Sequence, residues 1–315
     1  MTPPITRVAI VGAGVIGASW ATAFLARGMD VFANDPAPGA EDALRKTVDA
    51  QWPAMQQIGL SPTASKERLR FANSLEDAAA DADFVQENGP ERLDIKRALF
   101  RRLDEAAPPR APLASSTSTI PINKFQDACT RHPERVVLGH PFNPPHLIPL
   151  VEVGGGKQTA PDTIERALNF YRAMGKHPIH LRQEIVGHVA NRLQAALWQE
   201  AFNLVKAGVA SVADIDAAIA HGPGLRWALL GPFMNLHLSG GVGGVGALFG
   251  KPLWQATEVI WRDLGSVTVD ADLGARVVTG VTDELGEGDL TEVIRQRDEA
   301  LVKLLKLKSE QSGLP

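Results

Sequence analysis

Through the first half of the chain, short apolar runs alternate with longer stretches in which apolar residues recur at helical spacing. Runs at 8–11, 31–34, 68–71, 83–87, 112–114, 135–139, 150–153 and 178–181 predict strands. Between them, 18–26, 40–58, 93–105 and 161–174 predict helices, and a further amphipathic piece begins at 64. Residues 73–77 read as a helix start, with a capping residue ahead of acids in the first turn. Strands that alternate with helices imply a mainly parallel sheet covered on both faces. From Val186 onward the strand runs disappear, and 191–205, 212–220 and 291–308 show only helical spacing. A boundary near Ile185 therefore divides the chain into 1–185 and 186–315, an α/β domain with a doubly wound sheet and an all-helical domain.

The unit from Arg7 to Asp35 carries the first chemistry. A strand runs straight into Gly12-Ala-Gly14-Val15-Ile16-Gly17, which opens a helix. Gly12 permits the tight turn, Gly14 lets backbone approach a pyrophosphate, and Gly17 lets helix and strand pack closely. Unpaired amides at the helix start, Val15 and Ile16 among them, then face the phosphates with the positive end of the dipole. Asp35 ends the next strand, where an acid takes the ribose hydroxyls. Together these predict a Rossmann-type dinucleotide site. A carboxylate at 35 disfavours a 2′-phosphate and Pro36-Ala37-Pro38 supplies no arginine, so NAD is favoured over NADP, although Arg45 and Lys46 lie within reach. The same glycines argue against reading 8–26 as a membrane segment.

Composition narrows the partners. The 315 residues are 44% hydrophobic and 22% charged, with a net charge of −4. A pI near 6.1 gives no field for nucleic acid or an anionic membrane. Cys129 is the only cysteine, which rules out an internal disulfide, reads as a small buried filler, and points to the cytoplasm. His177 and His180 flank a strand proline rather than falling at ligand spacing, so no metal is expected.

In open α/β sheets ligands gather beyond the carboxyl ends of the strands. His140 ends one strand and Glu152 sits on the next, joined by a loop fixed by four prolines. A chain that goes out and returns brings the two together, and a carboxylate beside an imidazole suits a group that accepts and returns a proton. A buried structural pair remains the alternative. Ser118, Asn143 and Asn191 arrive at the same edge, each with a common role as cap or turn residue.

Seven separated motifs, in order, resemble the L-3-hydroxyacyl-CoA dehydrogenase superfamily across essentially the full chain. They are the glycine turn, Pro90-Glu91 with Lys96, Ser-Thr-Ser118, His140-Pro-Phe-Asn143-Pro, Leu150-Val-Glu152, Gly187-His-Val-Ala-Asn191-Arg and Gly231-Pro-Phe233. The resemblance implies an N-terminal NAD domain, a helical C-terminal domain that forms a homodimer, and a substrate cleft between them. It assigns His140 as general acid/base, Glu152 as its orienting partner, and Ser118 and Asn191 as groups that hold the reacting oxygen. It also puts Glu91, Lys96 and Asn143 against the cofactor.

The chain departs from the acyl-CoA enzymes after the second strand, where they carry a lysine-rich helical insertion and this sequence mixes acids with bases. It is similar instead to the branch acting on free 3-hydroxy acids, the L-carnitine dehydrogenases and the L-gulonate 3-dehydrogenase or lambda-crystallin group, nearer the first. Oxidation of the 3-hydroxyl of a small carboxylate is the activity this implies, with an acyl-CoA substrate or a crystallin-like bulk role as rivals. Arg226 is a candidate for a bidentate pair with the substrate carboxylate, or else belongs to a salt bridge. Trp198, Trp227 and Phe233 offer aromatic faces to a trimethylammonium group, or are core.

Overall fold

Strands buried on both faces need flanking helices, and the computed structural model, which describes residues 4–249 and 252–311, has that arrangement. The strands are β1 (Arg7–Val11), β2 (Asp30–Asn34), β3 (Leu69–Phe71), β4 (Phe84–Glu87), β5 (Leu113–Ser115), β6 (Val136–Pro141), β7 (Leu150–Gly155) and β8 (His177–Leu181). They form one sheet in the order β3-β2-β1-β4-β5-β6-β7-β8. Every neighbouring pair is parallel except β6 with β7. The connection between those two, residues 142–149, is too short for the crossover that a parallel return needs, so β7 comes back antiparallel.

The helices of the sheet unit are α1 (Val15–Ala26), α2 (Ala40–Ile58), α3 (Leu75–Ala79), α4 (Leu93–Ala106) and α5 (Pro161–Ala173). Ten of the twelve residues of α1 are buried, as an all-round apolar helix must be. Its Trp20 and Phe24 stack at 5.2 Å, and Trp20 lies 5.6 Å from Tyr171. Phe84 of β4 stacks on Phe170 at 4.3 Å. Each such ring contributes roughly 1.5–3 kcal/mol on burial. The Tyr171 hydroxyl donates to Gln86 Oε1 at 2.6 Å, and Gln86 Nε2 donates to Ser116 Oγ at 2.8 Å and to the Gly139 carbonyl at 3.0 Å. A side chain at Gly139 would meet the Tyr171 hydroxyl at 2.1 Å, so this buried chain of bonds requires glycine beside His140.

All eight expected strand runs are strands. The amphipathic piece from 64 is not an α-helix: Ser65 accepts the Glu67 amide and only a 3-10 turn, Lys66–Arg68, fits before β3 begins. The start at 73–77 is α3, whose cap Ser74 accepts the Asp77 amide.

Beyond the sheet come α6 (Ala190–Ala207), α7 (Val212–Ala220), α8 (Pro223–Trp227), α9 (Pro232–Ser239), α10 (Pro252–Asp263), α11 (Ala271–Leu285) and α12 (Leu290–Glu310). Helices α8 and α9 open on prolines, which suit a helix's first position. The glycine stretch at 240–246 follows α9 rather than a strand. It packs under His237, whose ring a side chain at Gly244 would strike at 2.0 Å, as in a tight turn.

Contacts divide the chain into Met1–Asn191 and Arg192–Pro315. Residues 186–191, past the boundary expected near Ile185, contact the sheet unit because their turn bonds to Thr117 and Glu152.

Candidate active site

Register sets the centre. His140 and Glu152 are directly opposed in the β6–β7 ladder, so their side chains share one face. His140 Nδ1 lies 2.8 Å from Glu152 Oε2, and both are buried. A carboxylate accepts, so Nδ1 carries the proton and Nε2 is left with its lone pair. That lone pair faces Ser118 Oγ at 3.1 Å. Glu152 Oε1 accepts the amides of Val189 at 2.8 Å and Ala190 at 3.0 Å. Burial opposes the charge of Glu152, but the bonds from His140, Ala190 and Val189 outweigh it and hold the carboxyl below the usual range.

The Ser118 loop is fixed by Glu91. One oxygen of Glu91 accepts the Thr117 hydroxyl at 2.7 Å and the amides of Ser118, Thr119 and Ile120 at 3.1, 2.7 and 3.2 Å. Desolvation works against this carboxylate, yet the Thr117 and Thr119 bonds and nearby Lys96 lower its pKa. Lys96, expected beside the cofactor, is buried: its ammonium lies 3.1 Å from both oxygens of Glu87 and 3.7 Å from Glu91. Asn143 is exposed in the proline loop, and Asn191 is half-buried in the first turn of α6.

At the other end of the sheet's carboxyl edge, a cleft of about 1050 Å³ is lined by Gly12, Gly14, Asp35, Phe71, Leu75 and Leu99 among others. The glycines around it differ in what they permit. A side chain at Gly12 would strike the Asn88 backbone at 2.8 Å, and one at Gly17 would strike the Gly12 carbonyl at 1.9 Å. At Gly14 it would meet no atom within 4 Å, and φ is −65°. Neither packing nor conformation requires glycine there, and the bare backbone leaves room for a ligand to approach closely. Val15 and Ile16 begin α1 beside it, with their amides at the helix start. Asp35 accepts the Ala13 amide at 2.8 Å and the Ala37 amide at 2.9 Å, which fixes its carboxylate at the cleft. These residues fit a dinucleotide. Arg45 is committed to Glu41 at 2.7 Å, and Arg102, which lines the cleft, forms a bidentate pair with Glu76 at 2.7 and 2.8 Å.

Sequence reasoning missed His188 and Asn88. His188 Nε2 lies 2.9 Å from the Thr117 carbonyl, and the His188 and His140 ring centroids are 4.9 Å apart. Asn88 Oδ1 accepts the Ser116 hydroxyl at 2.7 Å behind the glycine turn. His188 lies inside the Gly187-His-Val-Ala-Asn191-Arg motif, with only the glycine before it as a signal. In the helical unit, Trp198, Trp227 and Phe233 are exposed rather than core. Arg226 is exposed, and its guanidinium has no hydrogen bond or ion pair among the described residues. The reading of Arg226 as a salt-bridge residue therefore finds no support. Cys129 is the buried filler expected: burial pushes its thiol up to about 12.

A nucleotide cleft and a histidine–carboxylate pair on one sheet edge define an NAD-dependent dehydrogenase. Residues 7–185 match the 3-hydroxyacyl-CoA dehydrogenase NAD binding domain, and 187–264 match the C-terminal domain of that family. The chain belongs to the 3-hydroxyacyl-CoA dehydrogenase family. It is 47% identical over 312 residues to an L-carnitine dehydrogenase of Streptomyces coelicolor, covering 97% of this chain and 96% of that protein. An L-carnitine dehydrogenase of Pseudomonas putida is 44% identical over 315 residues, covering 99% and 98%. Among solved structures, the NAD+ dependent dismutase 5-formyl-3-hydroxy-2-methylpyridine 4-carboxylic acid 5-dehydrogenase superposes with a TM-score of 0.81 at 29% identity, covering 99% and 100%.

Proposed function

We propose that the protein oxidises the 3-hydroxyl of a small free 3-hydroxy acid, with L-carnitine the substrate the similarity favours. The observation that carries the reaction is the lone pair of His140 Nε2, set by the Glu152 bond at Nδ1 and hydrogen-bonded to Ser118. NAD, when bound, supplies the hydride acceptor. Nε2 of His140 takes the proton of the secondary alcohol, and Glu152 stabilises the imidazolium that results. Ser118 then donates to the oxygen as it becomes a carbonyl, a role the family resemblance gives also to Asn191. Glu91 holds the Ser118 loop, while Lys96 keeps Glu87 and Glu91 in place. Asp35 receives ribose hydroxyls, and with Arg45 and Arg102 both paired to acids, NAD is preferred over NADP.

Arg226, unpaired among the described residues, is assigned to the substrate carboxylate, and Trp227 and Phe233 to its cationic end. The working unit is a homodimer formed through the helical domain, whose apolar side chains stay exposed. A lone buried thiol fits a cytoplasmic setting. Nicotinamide absorbance with L-carnitine, L-gulonate, L-3-hydroxybutyrate and 3-hydroxybutyryl-CoA tests the reading. Turnover is expected with L-carnitine. Preference for the thioester overturns the free-acid assignment, and no turnover with any member overturns the function.

A further inference from the structure

His188 is the only non-glycine residue with positive φ, 53°, among the described residues. A left-handed backbone at a residue with a bulky side chain costs on the order of 1 kcal/mol and persists only where its surroundings impose it. It follows Gly187, also left-handed at φ 77°. This pair turns two successive amides, Val189 and Ala190, onto a single oxygen of Glu152. The side chain of the same residue reaches the other half of the site. Its Nε2 donates to the Thr117 carbonyl, since a carbonyl can only accept, and this fixes the tautomer with Nδ1 unprotonated. Thr117 precedes Ser118, so the loop that presents the serine to His140 is gripped by Glu91 on one side and by His188 on the other.

We propose that His188 is a positioning residue of the reaction, holding Ser118 through the Thr117 carbonyl while its backbone turn holds Glu152. One turn thereby sets both neighbours of the His140 imidazole. His140 gains a charge during turnover, and a second imidazolium 4.9 Å away would oppose it. Burial, with His140 nearby, favours neutral His188, against the Thr117 bond and the carboxylates of Glu152 and Glu91. The kinetic consequence rests on the dehydrogenase reading; the tautomer does not.

His188→Phe keeps the ring and loses the donor, whereas His188→Gln restores an amide donor near Nε2. With the 3-hydroxy acid, His188→Phe is expected to lower kcat between about tenfold and a hundredfold through misplacement of Ser118. NAD affinity should stay within about twofold, because the cleft at Asp35 lies elsewhere in the sheet unit. His188→Gln should recover most of the loss. Wild-type kcat in His188→Phe, or an equal loss in both variants, overturns the proposal. Nitrogen-15 NMR of imidazole-labelled wild-type protein reads the free molecule without turnover, and neutral His188 with its proton on Nε2 is expected near neutral pH. A protonated ring or an Nδ1–H tautomer overturns the proposal even if a variant fails to fold. Absence of turnover in the wild type would instead count against the function, leaving the NMR result to stand alone.

Discussion

The two units of the chain bury their apolar residues very differently. In Met1–Asn191, β1 and β4 are buried almost throughout and the rings of α1, β4 and α5 close over the sheet. In Arg192–Pro315, only Val205, Leu248, Leu273 and Val302 are buried apolar residues among those described, while Phe233 is 82% and Trp198 54% exposed. A sheet between helices covers itself. Helices with one apolar face need something laid against that face. The sheet unit thus carries its chemistry on a scaffold complete in itself, whereas the helical unit presents uncovered surface, in keeping with the dimer proposed for it.

That contrast can be broken at several points. The largest effect is expected from His140→Ala, which should lower kcat by roughly 10²–10⁴ with NAD affinity, read by nicotinamide fluorescence, unchanged. Gly14→Val should weaken NAD by about tenfold or more, near 1.4 kcal/mol. Its melting temperature should hold, because a Cβ at position 14 meets no neighbouring atom within 4 Å and φ there is ordinary. Joint replacement of the exposed Ile260 and Trp261 by glutamate should convert the dimer to a monomer by light scattering; a dimer that persists would move the interface elsewhere. The smallest effect concerns acid stability. Glu152 and Glu91 titrate below their usual 4.5 in the folded protein, so the stability they contribute is complete above that value. It is lost as pH falls through their folded values. Glu152→Gln should therefore flatten the acid limb of unfolding and shift its midpoint by a few tenths of a pH unit.

Much of the sheet unit was legible because its signals are local. Strand runs, the glycine turn and Asp35 each occupy a few adjacent residues, and the proline-rich return made the approach of His140 and Glu152 readable. What escaped depends on geometry that residue order does not carry. The motif of Lys96 shows that it lies at this edge of the sheet, but not that its buried ammonium is paired with Glu87 and Glu91. His188 acts through a left-handed turn, which only the preceding glycine hints at. The aromatic residues of the helical unit follow helical spacing whether a face is covered or bare, so pattern alone could not foretell the exposure of Trp198, Trp227 and Phe233.

The β6–β7 ladder also makes the alignment of His140 with Glu152 an all-or-none property. Because His140 and Glu152 are opposed residues of an antiparallel pair, slipping β7 by one position would bring Val151 or Val153 opposite the imidazole and turn the carboxylate to the far face. Gradual drift between these states is not accessible to a hydrogen-bonded ladder. Damage at a distance should accordingly change the fraction of competent molecules rather than the rate of each one, a difference that active-site titration can count.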